Sequence, residues 1–141
     1  MIDSKEMTRP LAEPDDDLVE AFWENVYKGE LRFQRCEECG TWRHLPRHLC
    51  ANCRSAKWTW AESKGRGKVF SWTITHQPLV RNFPEDVPYA VVVVELEEGV
   101  RMVSGLRGLH PSKLELDLPL EVVFEEVGDG KKIALFRPRY G

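Results

Sequence analysis

Hydrophobic residues follow two different periods along this chain. Between Asp17 and Gly29, Leu18, Val19, Phe22, Trp23 and Val26 recur at helical spacing. That spacing predicts an amphipathic helix with Asp17 as its N-cap, Glu20 three residues on, and Gly29 as its C-terminal stop. The apolar stripe exceeds what packing on one small unit requires, so Leu18, Phe22 and Trp23 are candidates for a partner-facing surface as well as for ordinary packing. Leu31 to Gln34 alternates and predicts a strand. Trp58-Thr59-Trp60 predicts another, with its two indoles expected on opposite faces. Beyond Gly65-Arg66-Gly67 the period falls to two. Lys68–His76, Tyr89–Glu97, Val100–Leu106, Leu120–Val127 and Lys132–Phe136 are rich in β-branched and aromatic residues. Glu98-Gly99 and Gly128-Asp129-Gly130 supply tight turns, and His110 to Leu118 a short helical insertion. Five strands with an insertion after the third is the order of an OB barrel, and a five-stranded sandwich stays open beside it.

Every cysteine falls between the helix and that barrel. Cys36, Cys39, Cys50 and Cys53 form two C-x-x-C pairs separated by ten residues. Two such turns facing each other make a four-sulfur tetrahedral cage that suits Zn²⁺, with Gly40 placed where the first turn needs a positive φ and Asn52 inside the second. Two disulfides would require an oxidising compartment, and no charged-then-apolar leader opens the sequence, so the expectation is a reduced, cytoplasmic protein. A thioredoxin-type pair would leave the second C-x-x-C unexplained. Iron accepts the same cage and stays open. With all four positions filled by protein, the ion is expected to be structural. The chain then divides into an arm (1–14), a helix (15–30), a metal ribbon (31–64) and a barrel (65–138), a mainly β protein.

Composition adds one fact that the pattern lacks. The chain has 141 residues, 42% hydrophobic and 30% charged, and no apolar run long enough to span a membrane. Its net charge of −3 is unevenly spread: Lys and Arg against Asp and Glu count 3 to 9 over residues 1–30, 9 to 3 over 31–68, and 8 to 11 over 69–141. The ribbon is thus a basic island, which keeps a surplus of about +4 after a zinc tetrathiolate contributes −2. It suits nucleic-acid phosphates, the phosphates of a nucleotide-bearing cofactor, an acidic protein surface, or the acidic segment of its own chain.

No catalytic set emerges. The cysteines are committed to metal, and Ser71 and Ser104 lie in predicted strands without a nucleophile elbow. His44 and His48 flank the second cysteine pair as alternate ligands or, more simply, surface or supporting residues. Glu97-Glu98 and Glu125-Glu126 are strand neighbours that point to opposite faces. His76 ends the first barrel strand and could bond a carbonyl or phosphate, or simply satisfy backbone groups. It precedes a stretch from Gln77 to Pro88 in which Pro78, Pro84 and Pro88 stiffen the chain around Phe83.

Cys36-Glu37-Glu38-Cys39-Gly40, Pro46-Arg47, Cys50-Ala51-Asn52-Cys53, Gly65 to Thr73, His76, Pro78, Pro88-Tyr89, Glu95 to Arg101 and Phe136-Arg137-Pro138 together resemble the zinc-ribbon OB-fold proteins of acyl-CoA metabolism, long called a domain of unknown function. The resemblance covers about residues 20–138. It implies an N-terminal helix, a rubredoxin-like zinc ribbon and a C-terminal OB domain. It also implies a noncatalytic, acyl-CoA-binding subunit of a thiolase-like enzyme, in hetero-oligomers such as heterotetramers, with hydratase-like partners for some relatives. Lipid metabolism, steroid side-chain degradation included, is the implied setting. On that footing Arg66, Trp72, His76, Phe83 and Tyr89 are the candidate substrate-binding residues, and Leu18, Phe22 and Trp23 the candidate partner interface. Leu45-Pro46-Arg47 stands where two prolines before the arginine are usual, and Asp117-Leu118-Pro119 replaces a glycine-containing turn. The competing function is a single-stranded nucleic-acid module, which wants aromatics on a basic barrel face; the acidic barrel half argues against nucleic acid.

Overall fold

The computed structural model describes residues 16–76 and 88–140. The arm at 1–14 and most of the proline-stiffened stretch, Phe83 included, lie outside the described residues. The helix α1 runs Asp17–Tyr27, and its cap is Asp16, one residue before the expected Asp17. Asp16 has the extended backbone a cap requires, and its side chain accepts the Leu18 N–H at 2.7 Å. Gly29, at φ 85°, ends the helix as expected. Phe22 and Val26 are buried, and the Phe22 ring stacks on Phe33 at 6.0 Å. Phe22 is therefore core and unavailable to a partner, a correction to the sequence expectation, whereas Leu18 and Trp23 are half-buried.

Three antiparallel strands make the ribbon, β1 (Arg32–Cys36), β2 (Trp42–Arg43) and β3 (Trp58–Glu62), in the order β2-β1-β3. Trp58 and Trp60 do not face opposite ways. Their rings meet edge-to-face with centroids 5.2 Å apart, because residues two apart on a strand share a face. The other face carries the fully buried Phe33 toward α1.

The barrel strands are β4 (Arg66–Thr75), β5 (Tyr89–Leu96), β6 (Arg101–Gly105), β7 (Pro119–Gly128) and β8 (Lys131–Pro138), with a 3-10 turn at Pro111–Lys113 after the third. They form one sheet in the order β6-β5-β4-β7-β8, and a parallel bridge from Leu106 to Phe136 brings its two edges together. This is the OB closure, not a sandwich of two sheets. Val69, Val92, Val94, Leu120 and Phe136 fill the interior at 0% exposure. Asp117 takes φ 64°, so the turn that lacks glycine is built by a short polar residue that tolerates the left-handed region.

Ribbon and barrel are joined by a polar clamp. Glu98, in the β5–β6 turn, accepts the Ser63 hydroxyl at 2.6 Å and the Lys64 N–H at 3.1 Å, and Ser63 Oγ accepts the Gly65 N–H at 2.9 Å. Just beyond, β4 and β5 approach so closely that a Cβ on Gly67 would lie 2.4 Å from the Glu95 carbonyl oxygen. Among the described residues no helix is long and apolar enough to cross a membrane. Backbone cannot yield as a side-chain tip can, so Gly67→Ala should cost about 2–4 kcal/mol in denaturant unfolding. An unchanged midpoint would refute the close approach.

Candidate metal centre and ligand groove

The two C-x-x-C turns face each other at the end of β1. All four sulfurs lie within 4.8 Å of one another, with Cys36 to Cys53 and Cys39 to Cys50 at 3.5 Å. Disulfide sulfurs would be about 2.05 Å apart. Tetrahedral zinc with bonds of about 2.3 Å would set its sulfurs about 3.8 Å apart, so the donor set fits a single ion. Gly40 (φ 76°) and Arg54 (φ 66°) each occupy the left-handed position one past the second cysteine of their turn. In the second turn that position is Arg54. Asn52 instead offers its side chain to Cys39.

The turns prepare Cys36 and Cys39 to be charged. At Cys53 the Ser55 N–H is outweighed by the hydrogen bond with Cys36, burial and the neighbouring sulfurs, which push its thiol up to about 12. Cys36 Sγ receives backbone N–H groups, chiefly that of Cys39, which draw its pKa below the usual thiol value. Hydrogen bonds from Thr41 and then Asn52 hold Cys39 down to about 5, Thr41 Oγ1 lying 3.1 Å away. Zinc or iron bound by Cys36, Cys39, Cys50 and Cys53 would supply cross-linking charge and no open coordination position.

Neither flanking histidine joins this set. His48 is exposed. His44 packs its ring 4.9 Å from Phe22 and 5.1 Å from Phe33, and burial pushes its pKa down to about 4. It is not the surface residue or ligand that sequence reading considered. It works as a neutral wedge between α1 and the ribbon.

The candidate substrate residues do not converge. Arg66 is exposed at one end of β4, and His76 follows the other end, about 30 Å away along an extended strand. A bulge between Val69 and Ser71 resets the strand's alternation. Trp72 then pairs with the buried Val92 and packs against the core, while Tyr89 pairs with Thr75 on the opposite face. A slot shared by Trp72 and Tyr89 is therefore ruled out by strand geometry.

A different concavity opens between ribbon and barrel, a groove of about 410 Å³ that sequence reading missed. The ribbon wall consists of Trp42 to Leu45, Arg47, Leu49 and Ala51; the barrel wall is Glu95 and Gly99 to Arg101. Leu45 and Leu49 are exposed there at 61% and 55%, and Arg43 is 9% exposed. The only sequence signal was the density of arginines in the basic island.

Residues 23–59 match the ChsH2 rubredoxin-like zinc ribbon domain, and residues 60–125 match the ChsH2 C-terminal OB-fold domain. The chain is 38% identical over 119 residues to a probable enoyl-CoA hydratase alpha subunit of Thermomonospora curvata, covering 84% of this chain and 37% of that protein. It is 35% identical over 128 residues to the 3-oxo-4,17-pregnadiene-20-carboxyl-CoA hydratase alpha subunit of Mycobacterium tuberculosis, covering 91% and 39%. It thus spans under two fifths of either hydratase subunit. A DUF35 domain-containing scaffold protein of Methanocaldococcus jannaschii is 32% identical over 115 residues, 79% of this chain and 80% of that one. Among solved structures, a chain of the Ltp2-ChsH2(DUF35) aldolase superposes with a TM-score of 0.80 at 36% identity, covering 89% of this chain and 98% of that chain.

Two outcomes follow from this geometry. Metal analysis should find one equivalent of zinc or iron, and Cys36→Ser or Cys50→Ser should lose it along with the ribbon's fold; full retention would contradict the cage. Because His44 has a folded pKa of about 4 against 6.5 unfolded, it favours the native state above pH 6.5 and withdraws that support as pH falls toward 4. Urea titrations across that window should show His44→Phe losing about 2 kcal/mol less stability than the parent. Parallel acid slopes would contradict the wedge.

Proposed function

The chain belongs to the ChsH2 (DUF35) family of zinc-ribbon and OB-fold proteins, and on that premise we propose that it is a noncatalytic accessory subunit that binds acyl-CoA for a thiolase-like enzyme. The observation that carries this reading is the likeness, across nearly the whole length of both chains, to a chain of the Ltp2-ChsH2(DUF35) aldolase. Relatives named as scaffold proteins support an accessory role. So does the chemistry, since all four cysteines face one metal position, and the serine–histidine pair of Ser112 Oγ with His110 Nδ1, 2.7 Å apart, is an exposed cap of the 3-10 turn in which the same Nδ1 also accepts the Ser112 N–H.

In this reading the chain supplies surfaces and positions, and its partner supplies the reaction. Leu18 and Trp23 on α1 remain the proposed docking residues, now without Phe22. Arg66, His76 and Tyr89 are proposed to contact ligand separately rather than as one slot, and Phe83 stands as a proposal from sequence alone. The assembly would be a hetero-oligomer such as a heterotetramer, working on CoA thioesters of lipids or steroid side chains. A four-thiolate centre suits a reducing compartment, the cytoplasm.

A hydratase-like partner is the second reading, favoured by the two relatives named as hydratase alpha subunits, of which this chain spans 37% and 39%. Nucleic acid is disfavoured, because the barrel half, residues 69–141, is acidic, with 8 Lys and Arg against 11 Asp and Glu.

Co-expression with thiolase-fold and hydratase-fold subunits from the same genome, followed by titration with short and long acyl-CoAs, tests the proposal. We expect one stable complex that binds acyl-CoA, and no turnover by the chain alone. Failure to bind acyl-CoA either alone or in complex would overturn it. So would turnover by the isolated chain that His76→Ala abolishes.

A further inference from the structure

Arg43 is the one cation in the ribbon whose position its own chain does not explain. Its Nε donates to Gln34 Oε1 at 2.8 Å, and the Arg47 backbone N–H donates to the same oxygen at 2.7 Å. Its guanidinium also lies 5.9 Å above the Trp58 ring. Yet Nη1 and Nη2 are buried with no hydrogen-bond partner among the described residues. Arginine cannot shed its charge, and a buried charge facing no acceptor is among the costliest features a fold can carry. The side chain is 91% buried and lines the groove between ribbon and barrel.

Two further arginines stand on the walls of that groove. Arg47 is exposed on the ribbon side. Arg101, on the barrel side, is held with its guanidinium 3.8 Å over the Phe70 ring and 3.6 Å from Glu95. Among the described residues Glu95 is the one carboxylate on the walls, and Arg101 already faces it, so their three guanidinium groups against one acid give a net positive lining. Burial keeps His44 neutral, so it adds no charge at neutral pH. Trp42, Leu45 and Leu49 give the same groove an apolar wall. Cations able to grip oxygens in pairs, beside an apolar face, in a volume within the typical ligand range of about 300–1,000 Å³, describe a receptor for a phosphorylated, heteroaromatic ligand.

We propose that the ribbon–barrel groove is an oxyanion site that binds the phosphates of a nucleotide, with Arg43, Arg47 and Arg101 as its binding residues and Leu45 and Leu49 against the base. The choice of an adenosine nucleotide rests on the acyl-CoA reading above; the oxyanion site itself does not. Phosphate oxygens accept from Arg43 Nη1 and Nη2, so the ligand completes the hydrogen bonding that the fold leaves open.

The test is calorimetric titration of the metal-loaded full chain with adenosine 3′,5′-bisphosphate, pyrophosphate and acetyl-CoA. Arg47→Ala/Arg101→Ala removes two exposed groove cations, and Lys57→Ala serves as a ribbon control outside the groove. The bisphosphate should bind, pyrophosphate should bind more weakly, and the double variant should lose about tenfold or more for both while the control does not. Arg43→Gln keeps a donor for Gln34. It should melt no lower than the parent, since it removes an uncompensated charge, and it should lose the ligand-induced rise in melting temperature.

Absence of bisphosphate binding, or equal loss in control and double variant, overturns the site. Acetyl-CoA bound equally by parent and double variant overturns the groove and leaves the acyl-CoA reading standing. Bisphosphate binding through the arginines without any acyl-CoA binding, alone or in complex, upholds the groove and overturns that reading. Pyrophosphate binding as tightly as bisphosphate overturns the role given to the apolar wall.

Discussion

Four thiols held within 4.8 Å of one another can be charged together only around a cation. Everything on the ribbon follows from that constraint. The unit is a three-stranded sheet whose middle strand, β1, buries Phe33, Gln34 and Cys36, too little apolar surface to hold two long cysteine turns in place. An ion held by Cys36, Cys39, Cys50 and Cys53 would replace the missing core and tie the turn after β1 to the turn before β3, from which the loop carrying Leu45, Arg47 and Leu49 extends. α1 closes the other side, with Phe22 stacked on Phe33 and His44 wedged beside both.

That arrangement matters because the ribbon does not float on the barrel. The Glu98 carboxylate grips the linker at Ser63 and Lys64, and Phe22, Leu31 and Phe33 belong to the same apolar core as Val69 and Val92 of the barrel. α1 also reaches β8, where the Lys131 ammonium lies 4.9 Å from the Tyr27 ring centroid. The groove between ribbon and barrel is thus lined by two units that these contacts tie together. A binding subunit gains from this, because a site formed before the ligand arrives costs less to order on binding.

Sequence reading succeeded where structure is local and failed where it is not. Cysteine spacing named the metal ligands because two turns and their sulfurs are set within eighteen residues. The alternation of β-branched residues located all five barrel strands, and the helical insertion gave the OB order. The errors have physical causes. Trp58 and Trp60 were placed on opposite faces although a two-residue spacing puts them together. Trp72 and Tyr89 were joined from their chemistry and the family resemblance, which carry no register; Trp72 pairs with Val92 and Tyr89 with Thr75, three positions apart and so on opposite faces. Phe22 looked partner-facing because a helical stripe does not reveal which of its residues the fold covers. The groove was invisible because its walls, from Trp42 to Ala51 and from Glu95 to Arg101, are brought together by tertiary contacts, the Glu98 clamp and the shared core among them. No periodicity records such a meeting.

The central claim is that the metal builds the scaffold and takes no part in chemistry, which its coordination sphere can decide. X-ray absorption at the metal edge should show four sulfur scatterers, at about 2.3 Å for zinc, and no nitrogen or oxygen neighbour. The same spectrum should persist when acyl-CoA is added. A spectrum with three sulfurs and a light atom, or one that changes when ligand binds, would mean an open, reactive centre and would contradict the account.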